Sequence, residues 1–183
     1  MRIKIDIFKK TVLLNFAVLS RKTTDVIGVH NKTIDGKFCL FLDYDKTEEQ
    51  FLKSELEHLQ MLYDLGNIYI FKSSEKGFHA VSFVKLKAHE FMEIMQNSTC
   101  DWAFKQIPRF TTFRSWILRS FEKGDTERPK YLYTLKRESS RELSEAHYRY
   151  FKKLYPEIEE DKRLDGIKDL FLIKYKTRTN INA

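Results

Sequence analysis

Two short stretches of this 183-residue chain carry the side chains best suited to chemistry, Phe38-Cys-Leu-Phe-Leu-Asp-Tyr-Asp45 and Ser74-Glu-Lys-Gly-Phe-His79. Residues 38 to 42 form an unbroken apolar run of the kind found in a buried strand, and polar residues begin only at its end. Strand side chains alternate faces, so Asp43 and Asp45 share one face about 7 Å apart, with Tyr44 on the other. Two carboxylates so placed can jointly ligate one or two divalent ions, the arrangement used for in-line phosphoryl or nucleotidyl transfer. An all-oxygen donor set favours Mg2+ or Mn2+ over zinc. An ordinary strand leaving a core also ends in acids, so the pair alone leaves both readings open.

The second stretch joins two further strand patterns, Asn67–Lys72 and His79–Val84, through the turn residues of a hairpin. Gly77 allows close backbone approach, Ser73 or Ser74 can donate to a phosphate oxygen, and Lys76 and His79 add positive or hydrogen-bonding groups. The combination suits a triphosphate. The alternative is an ordinary hairpin carrying a satisfied strand histidine.

In this order, an Asp-x-Asp, a helix and a Ser-x-x-Gly-x-His hairpin resemble the archaeo-eukaryotic primase superfamily, which includes the primase small subunit and the primase-polymerases of plasmids and viruses. The resemblance spans roughly residues 36 to 137. It implies that Asp43 and Asp45 bind catalytic metals, and that Ser74, Lys76, Gly77 and His79 hold the phosphates of an incoming nucleotide. Glu75 departs from the pattern, because many members carry a second glycine there. The third acid of such sites matches Asp101, in Ser98-Thr-Cys-Asp-Trp102; a helix-terminating or loop Asp is the competing account. Beyond it, Phe113–Arg119 and Lys123 resemble the basic strand that follows this acid, with Arg114 the preferred phosphate or template contact. Arg114 and Arg119 are an odd number of residues apart, so a regular strand puts them on opposite faces.

The elements that must position these residues read, from residue 38, as strand, helix, strand, strand, helix, strand. Thr47-x-x-Gln50 has the form of a capping box, Leu52, Leu56, Leu59 and Tyr63 recur on one helical face, and Gly66 supplies a stop. Ala88, Phe91, Met92 and Met95 form the stripe of the second helix. The order is that of an α+β, split βαβ, ferredoxin-like antiparallel sheet backed by helices, with the Asp43 and His79 strands central. The chain is expected to be one primase-like domain over 1–183, with an N-terminal addition (1–35), a core (36–137) and a C-terminal helical addition (138–183). The same fold also hosts RNA-recognition modules without catalysis, which expose sheet aromatics for base stacking; Phe41 and Phe83 are the residues such a module would use.

The formal charge of +7 is uneven. Residues 1–100 hold 14 Lys/Arg and 13 Asp/Glu, whereas residues 101–183 hold 19 and 13, so +6 lies in the second part. There Arg109, Arg114, Arg119, Lys123, Arg128 and Lys130 are interleaved with Trp116, Tyr131 and Tyr133, as in a groove for a single-stranded DNA template. A solvated basic face is the plainer alternative.

Ser139-x-x-Glu142 suggests a further helix cap, opening a helix to Tyr155 with Leu143, Ala146, Tyr150 and Leu154 inward. Tyr148, Tyr150 and Tyr155 read as packing residues, because no His-hydrophobic-His motif accompanies them. Pro156 ends this helix, and Leu170–Tyr175 suggests a strand or turn docking back. Ile3, Ile5 and Ile7 alternate with polar residues, as in a strand, and the apolar run at Val12–Leu19 is too short and interrupted to span a membrane. No signal-peptide pattern follows it, so the expectation is a cytoplasmic protein without a membrane partner. Two cysteines, Cys39 and Cys100, fit core thiols in a reducing compartment. No Walker phosphate loop is present, so a helicase or replication initiator would be a separate partner. The expected activity is DNA priming or polymerisation from NTPs or dNTPs.

Overall fold

A computed structural model describes residues 2–7, 10–15, 28–106, 115–123 and 126–167. In chain order its elements are β1 (Arg2–Ile7), β2 (Lys10–Asn15), β3 (Gly28–His30), β4 (Phe38–Tyr44), α1 (Glu49–Tyr63), β5 (Ile68–Ser74), β6 (Gly77–Leu86), α2 (Ala88–Asn97), α3 (Trp102–Gln106), β7 (Ile117–Arg119), β8 (Lys130–Leu135) and α4 (Glu145–Leu154). The alternating isoleucines do form a strand, which pairs with β2 as a separate antiparallel hairpin.

The central sheet is antiparallel in the order β4-β6-β5-β8. The α+β, split βαβ expectation therefore holds, with a difference at its edges. In the four-stranded ladder the Asp43 strand β4 is an edge rather than a centre, because β8 pairs with β5 at the far side. The outer side of β4 is closed by the β3–β7 ribbon through Asn31, which is fully buried. Its backbone accepts from Cys39 N–H at 2.8 Å and donates to Trp116 O at 3.0 Å. Its side-chain amide bonds Cys39 O and Trp116 N–H, both at 3.1 Å. One asparagine thus supplies the pairings that a missing ladder would leave open.

Alternation along the strands divides the core into two layers. Tyr44 faces α1, donating to Glu55 Oε1 at 2.9 Å, and Phe38 stacks on Phe91 of α2 with ring centroids 5.7 Å apart. On the other face Phe41, Phe71 and Phe83 pack against Phe151 of α4, with centroids 5.7, 5.7 and 5.3 Å away. Phe41 and Phe83 are consequently buried. That packing removes the base-stacking face an RNA-recognition module needs: its aromatics form the core beneath α4.

Helix boundaries differ from the sequence pattern where side chains found other partners. No side-chain cap bond forms at the start of α1; Thr47 Oγ1 turns back to Asp45 O at 3.2 Å. In α2 the buried stripe is Phe91, Ile94 and Met95, with Ala88 and Met92 exposed. The last helix starts at Glu145 rather than near Ser139, whose hydroxyl donates to Asp64 O at 2.9 Å. Its inward residues are His147, Tyr148 and Phe151, while Ala146 and Tyr150 are exposed. Tyr148 and Tyr155 are packing residues, as expected. Both cysteines are buried thiols. Leu170–Tyr175 lies outside the described residues. Among the described residues no helix is long and apolar enough to cross a membrane.

Candidate active site at the ends of β4 and β6

The register of β4 on β6 sets Asp43 opposite His79, with Phe41 opposite Val81 further into the core. Both motifs therefore meet at one end of the sheet, on the α4 face but beyond the aromatic cover. His79 Nε2 lies 3.5 Å from Asp43 Oδ1. His79 is buried, and burial, followed by the positive charge of Arg119, pushes its imidazole down to about 3. The contact is therefore between a neutral imidazole and a carboxyl group.

Asp43 carries the opposite perturbation. Burial is the largest cause, the charges of Asp45 and Asp101 add to it, and together they push its carboxyl up to about 7 against a partial offset from Arg119. Three carboxyl groups and one guanidinium are thus electrostatically coupled at this strand end. Asp101 arrives by a backbone route: its N–H donates to Asp43 O at 2.7 Å. One of its carboxylate oxygens, Oδ2, accepts from Phe104 N–H at 2.9 Å and so caps α3. Asp101 thus leads from a loop into α3, with its backbone bonded to that of Asp43.

The hairpin turn between β5 and β6 closes the other side. A Cβ added at Gly77 would lie 2.5 Å from Ser74 Oγ, 2.7 Å from Ser73 Oγ and 3.4 Å from Asp45 Oδ1. Glycine is needed here for space, because two hydroxyls and an acid converge on its backbone. Lys76 is exposed on the turn, and its carbonyl accepts from Thr47 N–H at 3.2 Å, which ties the turn to the segment leaving β4. Glu75 is exposed as well.

Arg119, grouped by composition with the basic template residues, acts from β7 through its positive charge on Asp43 and His79, which the sequence pattern did not indicate. Its guanidinium donates to Phe121 O at 3.0 Å, Glu127 O at 2.7 Å and Ser73 O, three carbonyls that hold it in one orientation. Arg114 and Arg109 lie outside the described residues.

The remaining basic residues are less concentrated than their spacing suggested. Lys130 pairs with Glu127. Arg128 donates to Leu154 O at 3.2 Å and stands over the Tyr155 ring. Lys123 is exposed and bridges to Thr126. Trp116, expected among the stacking aromatics, is buried against Phe91 with centroids 4.6 Å apart. Arg128 and Lys130, with Lys72, Ser73, Ser74, Glu75, Thr126 and Glu127, line a groove of about 470 Å³ that opens beside the hairpin.

Among the described residues no group of three His, Cys, Asp or Glu side chains is placed to hold a metal ion. The charges of Asp45 and Asp101 both act on Asp43, after the larger effect of burial.

No protein-family model matches the chain, and no solved structure matches it. The chain is similar to part of the RNA-directed RNA polymerase L of Tibrogargan virus (strain CS132), 28% identical over 112 residues. The match covers 57% of this chain and 5% of the viral protein.

Proposed function

We propose that this chain is a primase-type nucleotidyltransferase, a DNA primase or primase-polymerase that copies single-stranded DNA from NTPs or dNTPs. The observation that carries the reading is the coupling of Asp43 to Asp45 and Asp101 directly across the ladder from His79. Such a site concentrates negative charge where a nucleotide polymerase must hold cations. The likeness to part of a viral RNA polymerase points the same way at the level of nucleotidyl transfer.

In this reading Asp43, Asp45 and Asp101 hold Mg2+ or Mn2+, which when bound lowers the pKa of the attacking 3′-hydroxyl and neutralises the triphosphate. The hydroxyls of Ser73 and Ser74 and the Lys76 ammonium orient the phosphates at the Gly77 turn. His79, neutral and buried, offers a ring N–H or a lone pair without adding charge. Arg119, fixed by three carbonyls, supplies a preorganised positive charge at the acids. Lys123, Arg128 and Lys130 contribute to template binding along the second part of the chain.

The test is a primer-synthesis and primer-extension assay on single-stranded DNA with Mg2+ or Mn2+ and all eight nucleotides, comparing the wild type with Asp43→Ala/Asp45→Ala. Metal-dependent product that disappears in the double variant supports the reading. Tight, salt-sensitive DNA binding with no product from the wild type makes the chain a degenerate, non-catalytic relative instead.

A further inference from the structure

We infer that the groove between the end of β5 and residues 126–130 is a phosphate-binding site that works without a metal ion. It shares Ser73, Ser74, Arg128 and Lys130 with the nucleotidyltransferase reading above and asks nothing of the acids. The groove measures about 470 Å³, room for a nucleotide-sized anion.

Its charges are placed by the sheet. In the β5–β8 register Lys72 lies directly opposite Lys130, and both line the groove. Like charges opposite one another across a ladder repel, so this pairing is unfavourable until an anion offsets it. Glu127 answers one of the two through its ion pair with Lys130. Lys72 has no carboxylate partner among the described residues; its ammonium stands 3.9 Å from the centre of the Phe78 ring, which holds it in place without cancelling its charge. Glu75, the other carboxylate lining the groove, is exposed on the turn.

Arg128 is held in a comparable way. It donates to Leu154 O at 3.2 Å and its guanidinium lies 5.3 Å over the Tyr155 ring, while its other N–H groups have no partner among the described residues. Arg119 joins the two sides of the groove, donating to Ser73 O on β5 and to Glu127 O at 2.7 Å, and so fixes a further positive charge behind them. Ser73 is 7% exposed and lines the groove, and its hydroxyl has no hydrogen-bond partner among the described residues. Nearly buried polar groups are rarely left unpartnered, so a free hydroxyl among these cations is a donor suited to an anionic oxygen. A phosphoryl group carries several such oxygens and accepts from ammonium, guanidinium and hydroxyl together. The phosphate can belong to the triphosphate of a nucleotide or to the backbone of a single strand.

The test is binding in EDTA, read by fluorescence anisotropy for a labelled 12-nucleotide oligodeoxythymidylate and by calorimetry for ATP and inorganic triphosphate. Expected is binding of at least one probe by the wild type; the oligonucleotide alone assigns a strand backbone, and ATP or inorganic triphosphate assigns the phosphates of a nucleotide. Lys72→Gln and Arg128→Gln, confirmed as folded by thermal melts, should each weaken that probe on the order of 10-fold. For the oligonucleotide each should also lower the slope of log affinity against log salt by about 1. Lys53→Gln removes a like charge from α1, where Lys53 pairs with Glu57, and should leave affinity unchanged. No binding in EDTA, unchanged affinity in both groove variants, or an equal loss in Lys53→Gln overturns the inference. Metal-dependent synthesis without binding in EDTA sinks this site and leaves the catalytic reading standing; binding in EDTA without synthesis does the reverse.

Discussion

Asp43 and His79 face each other across one rung of the β4–β6 ladder, Oδ1 to Nε2 at 3.5 Å, and burial drives both toward their neutral forms. The acid is pushed up to about 7 and the imidazole down to about 3. A protein that keeps such a pair without a compensating cation is less stable than its packing allows.

Asp43→Asn should therefore stabilise the metal-free protein while abolishing nucleotidyl transfer. A carboxyl whose folded pKa is raised favours the fold below its unfolded pKa of about 4, and that contribution is lost as pH rises through about 7. The full shift corresponds to roughly 4 kcal/mol at pH 8, which partial solvation reduces to about 2 kcal/mol. Thermal melts at pH 8 with chelator should place Asp43→Asn roughly 4–8 °C above the wild type, and melts at pH 4 should bring the two together. Mn2+ should raise the wild type and leave the variant unchanged. A variant that melts below the wild type at pH 8 counts against a strained acid.

Gly77→Ala tests the turn. Its Cβ would meet Ser74 Oγ at 2.5 Å and Ser73 Oγ at 2.7 Å, so at least one hydroxyl must move. The expected cost is about 1–3 kcal/mol in chemical denaturation, with nucleotide affinity reduced in the folded variant. A variant with unchanged nucleotide affinity would separate the hydroxyls from phosphate binding.

Arg119→Gln removes the positive charge that lowers both Asp43 and His79. Both groups should then titrate at higher pH, which NMR of the His79 ring and the Asp43 carboxyl carbon can follow. The carbonyls of Ser73, Phe121 and Glu127 also lose their shared donor, a destabilisation of about 1–3 kcal/mol. Pinned titrations of both groups would place Arg119 outside the site.

Phe151→Ala opens the cover over the sheet. Phe151 touches Phe41, Phe71, Phe83 and Tyr155, and its truncation should cost about 3–5 kcal/mol as a lower urea midpoint. A loss below about 1 kcal/mol would mean that α4 is not integral to the core.

Much of the site follows from local chemistry. The apolar run with its acidic end puts Asp43 on β4, which stops at Tyr44 with Asp45 in the bend beyond it, and the turn residues between two apolar strands place Ser74, Lys76, Gly77 and His79 on a hairpin. Those patterns act over a few residues, and α1, β5 and β6 arise where they indicate. Tertiary structure decided what no local pattern encodes. Whether Phe41 and Phe83 face solvent depended on a helix about 110 and 70 residues further along, and an edge for β4 depended on one asparagine replacing a strand. Arg119 and Arg128 look alike in composition, yet it is the charge of Arg119 that acts on Asp43, its guanidinium held by the nearby Phe121 and Glu127 carbonyls and by Ser73 O from the distant β5. Trp116 and Trp102 are equally apolar in the sequence, but long-range packing buries the first against Phe91 and leaves the second exposed. Alternation and turn chemistry are properties of neighbouring residues; burial and electrostatic coupling are properties of what the fold brings next to them.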